Sequence, residues 1–318
     1  MAAAYPPIET VAVVGAGAMG AMYADHFSRN GFRTLLLATG ERADRLRQEP
    51  VTVNGVSLDV EIVDPLEPPR TPSRADLVIV AVKHGHLAEA VSLMAPLITQ
   101  RSTILSVLNG LDSEQLIVRG LREAGVPLTE EQVPLCIALA MDAERSGQEV
   151  RYTQSGRLVF GPAGAAGDAS EPHLAAAHEA LAGAGLESST PRDMRHQMWW
   201  KFMVNVGINQ PSAVLRLGYG GFRDPGPAHD LMMALIEEVR AVAAAEGVTL
   251  SDADVERWRT VLAGQPADGM TSMHQDVLAG RATEVDIFAG HVVELGRRHG
   301  VEVPHNQSML WILHALAG

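Results

Sequence analysis

Cysteine is nearly absent. Cys136 is the only one among 318 residues, which excludes an intramolecular disulfide framework and a cysteine-rich zinc site. Lysine is almost as scarce: of 25 basic residues only Lys83 and Lys201 are lysine, leaving 23 arginines. Positive charge is short overall, because 38 acidic residues bring the net charge to −13. Such a surface disfavours nucleic acid, whose phosphates require a cationic partner. No apolar run approaches the ~18 residues of a membrane span, and the opening MAAAYPPIE has neither the basic nor the apolar region of a secretory signal. A reduced, cytoplasmic protein that engages no membrane and acts on something small is expected.

The chain is 47% hydrophobic and 20% charged, a globular balance, and its length suggests two domains at roughly 150 residues each. Short apolar runs alternate with helical patterns in the first half. Val11–Val14, Thr34–Ala38, 77–82 (LVIVAV) and 103–108 (TILSVL) read as strands, with helices after Gly15 and over 41–48. Two further short strands, 51–53 and 56–63, flank the Asn54-Gly55 turn. Alternation of this kind predicts a parallel sheet covered on both faces. From 133 to 160 the runs PLCIALA, EVRYTQ and RLVFG suggest an antiparallel extension, followed by a loop at 161–170 and an Ala-rich helix over 171–184. Beyond about 190 the strand signal fades, and helical patterns occupy 194–209, 227–246, 251–263, 284–299 and 306–316. The expected architecture is an α/β domain over 1–190, mainly parallel with an antiparallel extension, followed by an all-α domain over 191–318.

Gly15, Gly17 and Gly20 form G-x-G-x-x-G directly after a strand and at the start of a helix. The first glycine permits the tight turn, the second lets backbone approach a pyrophosphate, and the third allows close helix–strand packing. The helix N-terminus adds unpaired N–H groups and partial positive charge. In this setting the motif predicts a Rossmann-like dinucleotide site with Gly15, Gly17, Ala18, Met19 and Gly20 against the cofactor. NAD sites place an acidic residue at the end of the second strand. Here that strand ends at Ala38-Thr39. Arg42 and Arg45 can meet a 2′-phosphate and Thr39 can donate to it, so NADP is favoured, with NAD as the alternative.

The two lysines are the first places to look for proton chemistry, because an amine can have its pKa lowered whereas a guanidinium stays charged. Lys201, Asn205 and Asn209 in WWKFMVNVGIN follow one another at i, i+4 and i+8, along one helical face. The apolar residues between them predict a buried helix, on which an amine and two amides need polar partners. A cleft completed by a polar ligand satisfies that need, and burial favours proton donation near neutrality. Lys83 and Asn109 end two predicted strands, where ligands bind in open α/β sheets. Ser272 in GMTSMHQD and Glu284 in RATEVD stand where helices open. His84, His86, His291, His299 and His305 show no metal-binding spacing, so no metal is expected. Trp199 and Trp200 read as core or interface anchors, compatible with a homodimer.

With these residues assembled, the chain resembles the ketopantoate reductase (2-dehydropantoate 2-reductase) family. The likeness runs from GAGAMG through Val82-Lys83, Asn109-Gly110, WKFMVNVGIN, Ser272-Met273 and TEVD at 283–286. It implies an N-terminal Rossmann domain, a helical C-terminal domain and an active site in the cleft between them. The implied reaction is NADPH-dependent reduction of 2-dehydropantoate to pantoate, a step of pantothenate biosynthesis toward coenzyme A. By this resemblance Lys201 is the general acid at the C2 carbonyl oxygen, and Glu284 holds substrate and keeps Lys201 charged and placed. Asn205 and Asn209 bond the substrate hydroxyl and Ser272 its carboxylate. Asn109 contacts nicotinamide ribose and substrate, and Lys83 lines the cofactor site. Two departures fall on the adenine side: Thr39 stands where the family often has Arg, and Gly85-His86 where it often has an aromatic and Gln. Reduction of another small 2-oxo acid is the alternative, and a non-catalytic dinucleotide sensor is a further one.

Overall fold

A computed structural model describes residues 5–67, 74–164 and 171–317, and the chain divides into two units, Met1–Arg195 and His196–Gly318.

In the first unit, strands β1 (Thr10–Val14), β2 (Arg33–Leu37), β5 (Glu61–Val63), β6 (Leu77–Val80) and β7 (Thr103–Ser106) form one sheet in the order β5-β2-β1-β6-β7, every pair parallel. Numbered within the sheet this is 3-2-1-4-5, the dinucleotide-binding order 3-2-1-4-5-6 without its sixth strand, and it reverses beside β1. Val11, Val13, Leu36, Leu77, Ile79 and Leu105 pack into one core, while Ala12, Val14, Leu35, Leu37, Val78, Val80 and Ile104 pack into another. The period of two explains why these strands read as unbroken apolar runs: both faces are buried. Helix α1 (Ala18–Arg29) covers the first face and α3 (Leu87–Met94) with α4 (Ser113–Glu123) the second. Helix α2 (Gly40–Gln48) follows β2.

The remaining strands form two small sheets of their own. One joins β3 (Thr52–Val53), β4 (Val56–Ser57), β9 (Glu144–Ser146) and β10 (Glu149–Arg151) in the order β4-β3-β10-β9. The other joins β8 (Leu135–Met141), β11 (Ser155–Gly161) and β12 (Glu187–Ser189) in the order β12-β11-β8. The antiparallel extension holds for β8 with β11 and for β9 with β10, but β10 pairs parallel with β3 and β11 parallel with β12. Helix α5 (Pro172–Gly183) precedes β12. Of the loop expected over 161–170, residues 165–170 lie outside those described.

The second unit is helical: α6 (Met194–Leu215), α7 (Pro227–Ala245), α8 (Asp252–Gly264), α9 (Ser272–Leu278), α10 (Ala289–His299) and α11 (Pro304–Ala317). Helix α6 runs six residues beyond the expected end at 209, straight through Pro211. A proline inside a helix forfeits one backbone bond. Here Gln210, Ser212 and Ala213 beside it are buried, so packing keeps the turn helical. Gly207 lets α6 and α7 approach closely, since a Cβ there would stand 2.6 Å from Ile236 Cγ1. The helix expected over 284–299 breaks instead at Phe288 (φ −105°, ψ −90°) into a 3₁₀ turn, Val285–Ile287, and α10. Among the described residues no helix is long and apolar enough to cross a membrane.

Candidate functional site

The glycine-rich turn joins β1 to α1, and its three glycines are required for different reasons. Gly15 has φ +105°, and a Cβ on it would stand 2.5 Å from the Ala81 carbonyl oxygen. A Cβ on Gly20 would collide with the Gly15 carbonyl, so this glycine sets how tightly α1 docks. Gly17 has ordinary backbone angles and a Cβ there would meet open space. Its small size is therefore spent on something outside the fold, as expected where a pyrophosphate rests on the start of a helix. Ala18 and Met19 follow it, partly exposed, in the first turn of α1.

Lys83 and Asn109 occupy the loops after β6 and β7, two neighbouring strands, and so stand at the same carboxyl edge as the glycine turn. Lys83 is exposed and Asn109 half-buried. Behind Asn109 lies a buried polar chain. Ser106 Oγ is 2.8 Å from Ser113 Oγ, which donates to Glu114 Oε2 at 2.9 Å, while the Cys136 N–H donates to Glu114 Oε1 at 3.1 Å. Burial pushes the Glu114 pKa from 4.5 up to about 7 despite those donors, with the charge of Asp112 adding to the rise.

After β2 the chain passes through Ala38 and Thr39 into α2, with no acid at the strand end. Asp64, just beyond β5, organises this turn. Burial works against its charge, but the N–H groups of Gly40 and Leu66 and the Thr39 hydroxyl all bond its carboxylate and hold its pKa below the usual range. The Thr39 hydroxyl, expected near a 2′-phosphate, lies beside this carboxylate. Arg42 and Arg45 are exposed on α2.

In the second unit, Lys201, Asn205 and Asn209 lie on α6 as the spacing predicts. Lys201 and Asn205 are half-buried, and Asn209 is 7% exposed. Phe202 anchors this helix: its ring lies 5.7 Å from Trp199, 6.4 Å from Phe288 and 6.1 Å from His291. The last two contacts dock the start of α10, which follows half-buried Glu284 in sequence, against the Lys201 end of α6. Trp199 and Trp200 are both buried; the Trp200 indole N–H donates to the Asp254 carbonyl at 3.0 Å, and the Arg257 guanidinium lies 3.8 Å over its ring.

Ser272 is the first residue of α9 and is exposed. It does not cap that helix. Thr271 does, its hydroxyl accepting from the His274 N–H at 3.2 Å. The same hydroxyl donates to Ser212 Oγ at 3.3 Å, and His274 Nδ1 stands 3.5 Å from Ser212. Burial, with the nearby Arg216 charge, lowers the His274 pKa. Since Ser212 is one turn beyond Asn209 on α6, this cluster ties the start of α9 to the amide end of the stripe. Among the described residues no group of three or more His, Cys, Asp or Glu is placed to hold a metal ion.

The family model for ketopantoate reductase PanE/ApbA matches residues 11–165, and that for its C-terminal domain matches 193–317. The chain belongs to the ketopantoate reductase family. A 2-dehydropantoate 2-reductase of Halobacterium salinarum is 28% identical over 302 residues, covering 92% of this chain and 94% of that one. The enzyme of the same name from Vibrio cholerae is 25% identical over 312 residues, covering 94% and 95%. Among solved structures, a PanE/ApbA family ketopantoate reductase from Ralstonia eutropha superposes with a TM-score of 0.79 at 26% identity, covering 97% and 98%. A D-mandelate dehydrogenase solved with NADH and anilino(oxo)acetate shares the fold, with a TM-score of 0.82 at 22% identity over 97% and 98%. Family membership makes the chain an oxidoreductase with a nicotinamide dinucleotide as cofactor.

Sequence reasoning passed over Asp64 and the Thr271–Ser212–His274 cluster. Both work through contacts between segments distant in sequence. Only the Thr271-x-x-His274 spacing carries a local signal, that of a helix cap.

Proposed function

We propose that the protein reduces the 2-oxo group of 2-dehydropantoate to the hydroxyl of pantoate, using NADPH. The observation that carries this reading is the α6 stripe. An amine and two amides stand in register on one face of α6 with apolar residues between them, and the polar cluster at the start of α9 adjoins their far end. When bound, the dinucleotide supplies a hydride to the substrate's carbonyl carbon. The Lys201 ammonium donates a proton to the carbonyl oxygen as negative charge grows there, then regains one from solvent. The Glu284 carboxylate favours the charged form of that amine and aims it. Asn205 and Asn209 hold the substrate hydroxyl, and the exposed Ser272 hydroxyl holds the carboxylate.

The first unit fits a dinucleotide: the open face of Gly17 at the start of α1 receives the pyrophosphate, with Lys83 and Asn109 along the same sheet edge. Preference for NADPH is supported by the lack of an acid at Ala38-Thr39, where β2 ends, with Arg42 as well as Glu41 in the first turn of α2. A second reading, reduction of another small 2-oxo acid, is favoured by the shared fold of a D-mandelate dehydrogenase. The experiment is a panel of 2-oxo acids ranked by kcat/KM with each of NADPH and NADH. 2-Dehydropantoate with NADPH should rank first. A different acid at least ~10-fold better, equivalent to about 1.4 kcal/mol in the transition state, selects the second reading. No turnover of any 2-oxo acid rejects both.

A further inference from the structure

We propose that Arg145 is a specificity-determining residue for the cofactor, forming with Arg42 and Arg45 a three-guanidinium seat for a phosphate monoester on the adenosine ribose. The proposal rests on the assignment of a dinucleotide-dependent reductase and adds to it a residue from a separate sheet.

Arg145 lies on β9, in the four-stranded sheet, 129 positions from the glycine-rich turn in sequence. Its half-buried guanidinium nevertheless reaches that turn. One Nη1 hydrogen is donated to the Ala16 carbonyl, between Gly15 and Gly17. Nε donates to the Gly147 carbonyl at 2.8 Å and Nη2 to Gln148 Oε1. Gln148 is itself anchored, its amide donating to the Glu49 carbonyl at 3.1 Å. Three of the five guanidinium N–H donors are thereby spent on fixing the plane of the group, and two have no partner among the described residues.

Two more cations converge on the same place. Arg42 and Arg45 stand one turn apart on α2 and are exposed. Neither forms an ion pair with a described residue, although Arg47 on the same helix has both Asp44 and Glu67. Gln148, which holds the Arg145 guanidinium, also bonds the Glu49 carbonyl at the end of α2, so this helix lies against the Arg145 hairpin, and partial burial with the charges of Arg42 and Arg45 lowers the Arg145 pKa. Arg42 also sits in the first turn of α2, where a cation opposes the helix dipole. Like charges crowded this way are unfavourable in the free protein, and an anion relieves them.

Position identifies the anion. Leu37 at the end of β2 is in register with Val14 at the end of β1, so the cluster lies where these two strands meet the glycine turn and the first turn of α2. That is the corner where the adenosine ribose of a dinucleotide rests, away from the pyrophosphate at the start of α1. A phosphate monoester has enough oxygens to engage several guanidiniums at once, whereas an unmodified ribose offers only weak acceptors.

Equilibrium binding of NADPH and NADH to the full-length protein, without substrate, tests the proposal. The wild type should bind NADPH more tightly, with a steeper loss in salt. Arg145→Gln should weaken NADPH by ~10–100-fold, the range of a lost charge-assisted hydrogen bond, and change NADH by less than ~3-fold. Because Arg145 also supports the glycine turn, the Arg42→Ala/Arg45→Ala double variant is measured alongside. Its side chains pair with no described residue, so it should fold normally and show the same selective loss. Equal weakening of both cofactors in either protein overturns the proposal, as does a wild type that binds NADH as tightly as NADPH. Failure of the reductase assignment is a separate outcome: selective NADPH binding with no turnover of any 2-oxo acid.

Discussion

Glu114 makes stability depend on pH in a direction that can be worked out beforehand. Its carboxyl is fully buried behind the Asn109 turn, and its pKa rises from 4.5 to about 7 on folding. Between those values the unfolded chain has lost this proton while the folded protein keeps it, so folding takes up a proton. Stability therefore falls as pH climbs from about 4.5 and levels off above about 7. At ~1.4 kcal/mol per pKa unit the full penalty is about 3 kcal/mol. Glu114→Gln removes the titration and keeps the shape. The amide oxygen still accepts the Cys136 N–H, and the amide N–H₂ points at Ser113, whose hydroxyl can turn to accept and donate to Ser106. Urea unfolding of both proteins from pH 5 to pH 8 cancels every titration they share. The wild type should lose up to about 3 kcal/mol relative to Glu114→Gln across that range, leaving the variant more stable at pH 8. Parallel profiles, or a variant less stable at pH 8, would refute the assignment of a protonated buried carboxyl.

Gly17→Ala and Gly20→Ala should fail in different ways. Gly17→Ala keeps its melting temperature within a few degrees but loses dinucleotide affinity in a titration, whereas Gly20→Ala, whose Cβ collides with the Gly15 carbonyl, is poorly folded by circular dichroism. Equal thermal damage in both would contradict the separation of roles. Tyr23 is buried with no partner for its hydroxyl among the described residues, so Tyr23→Phe should leave stability unchanged or raise it by ~1 kcal/mol. A loss of more than that in denaturant unfolding means the hydroxyl is bonded in solution.

The parallel sheet was legible because residues buried on both faces leave unbroken β-branched runs, and the run at Val11–Val14 leads directly into the glycine turn. The α6 stripe was legible for a related reason: Lys201, Asn205 and Asn209 repeat every four residues, so one helix displays them together. What stayed hidden depends on distant segments. The parallel pairing of β3 with β10 joins strands almost a hundred residues apart, and short runs such as Thr52–Val53 do not reveal their partners. Helix α6 outruns its expected end at 209 because buried neighbours carry it through Pro211. The sequence did not show that Asp64, just beyond β5, would bond the Gly40 N–H beside Thr39. The cap of α9 belongs to Thr271 instead of Ser272 by one position, a shift that local chemistry alone does not decide between two adjacent hydroxyls.

Single-turnover reduction of 2-dehydropantoate by the NADPH-loaded protein, compared with Lys201→Ala, bears most directly on the mechanism. The account predicts turnover in the wild type and a loss of ~10²–10⁴-fold in the variant, the usual contribution of a positioned proton donor, with NADPH affinity unchanged. Comparable rates in the two proteins would contradict it.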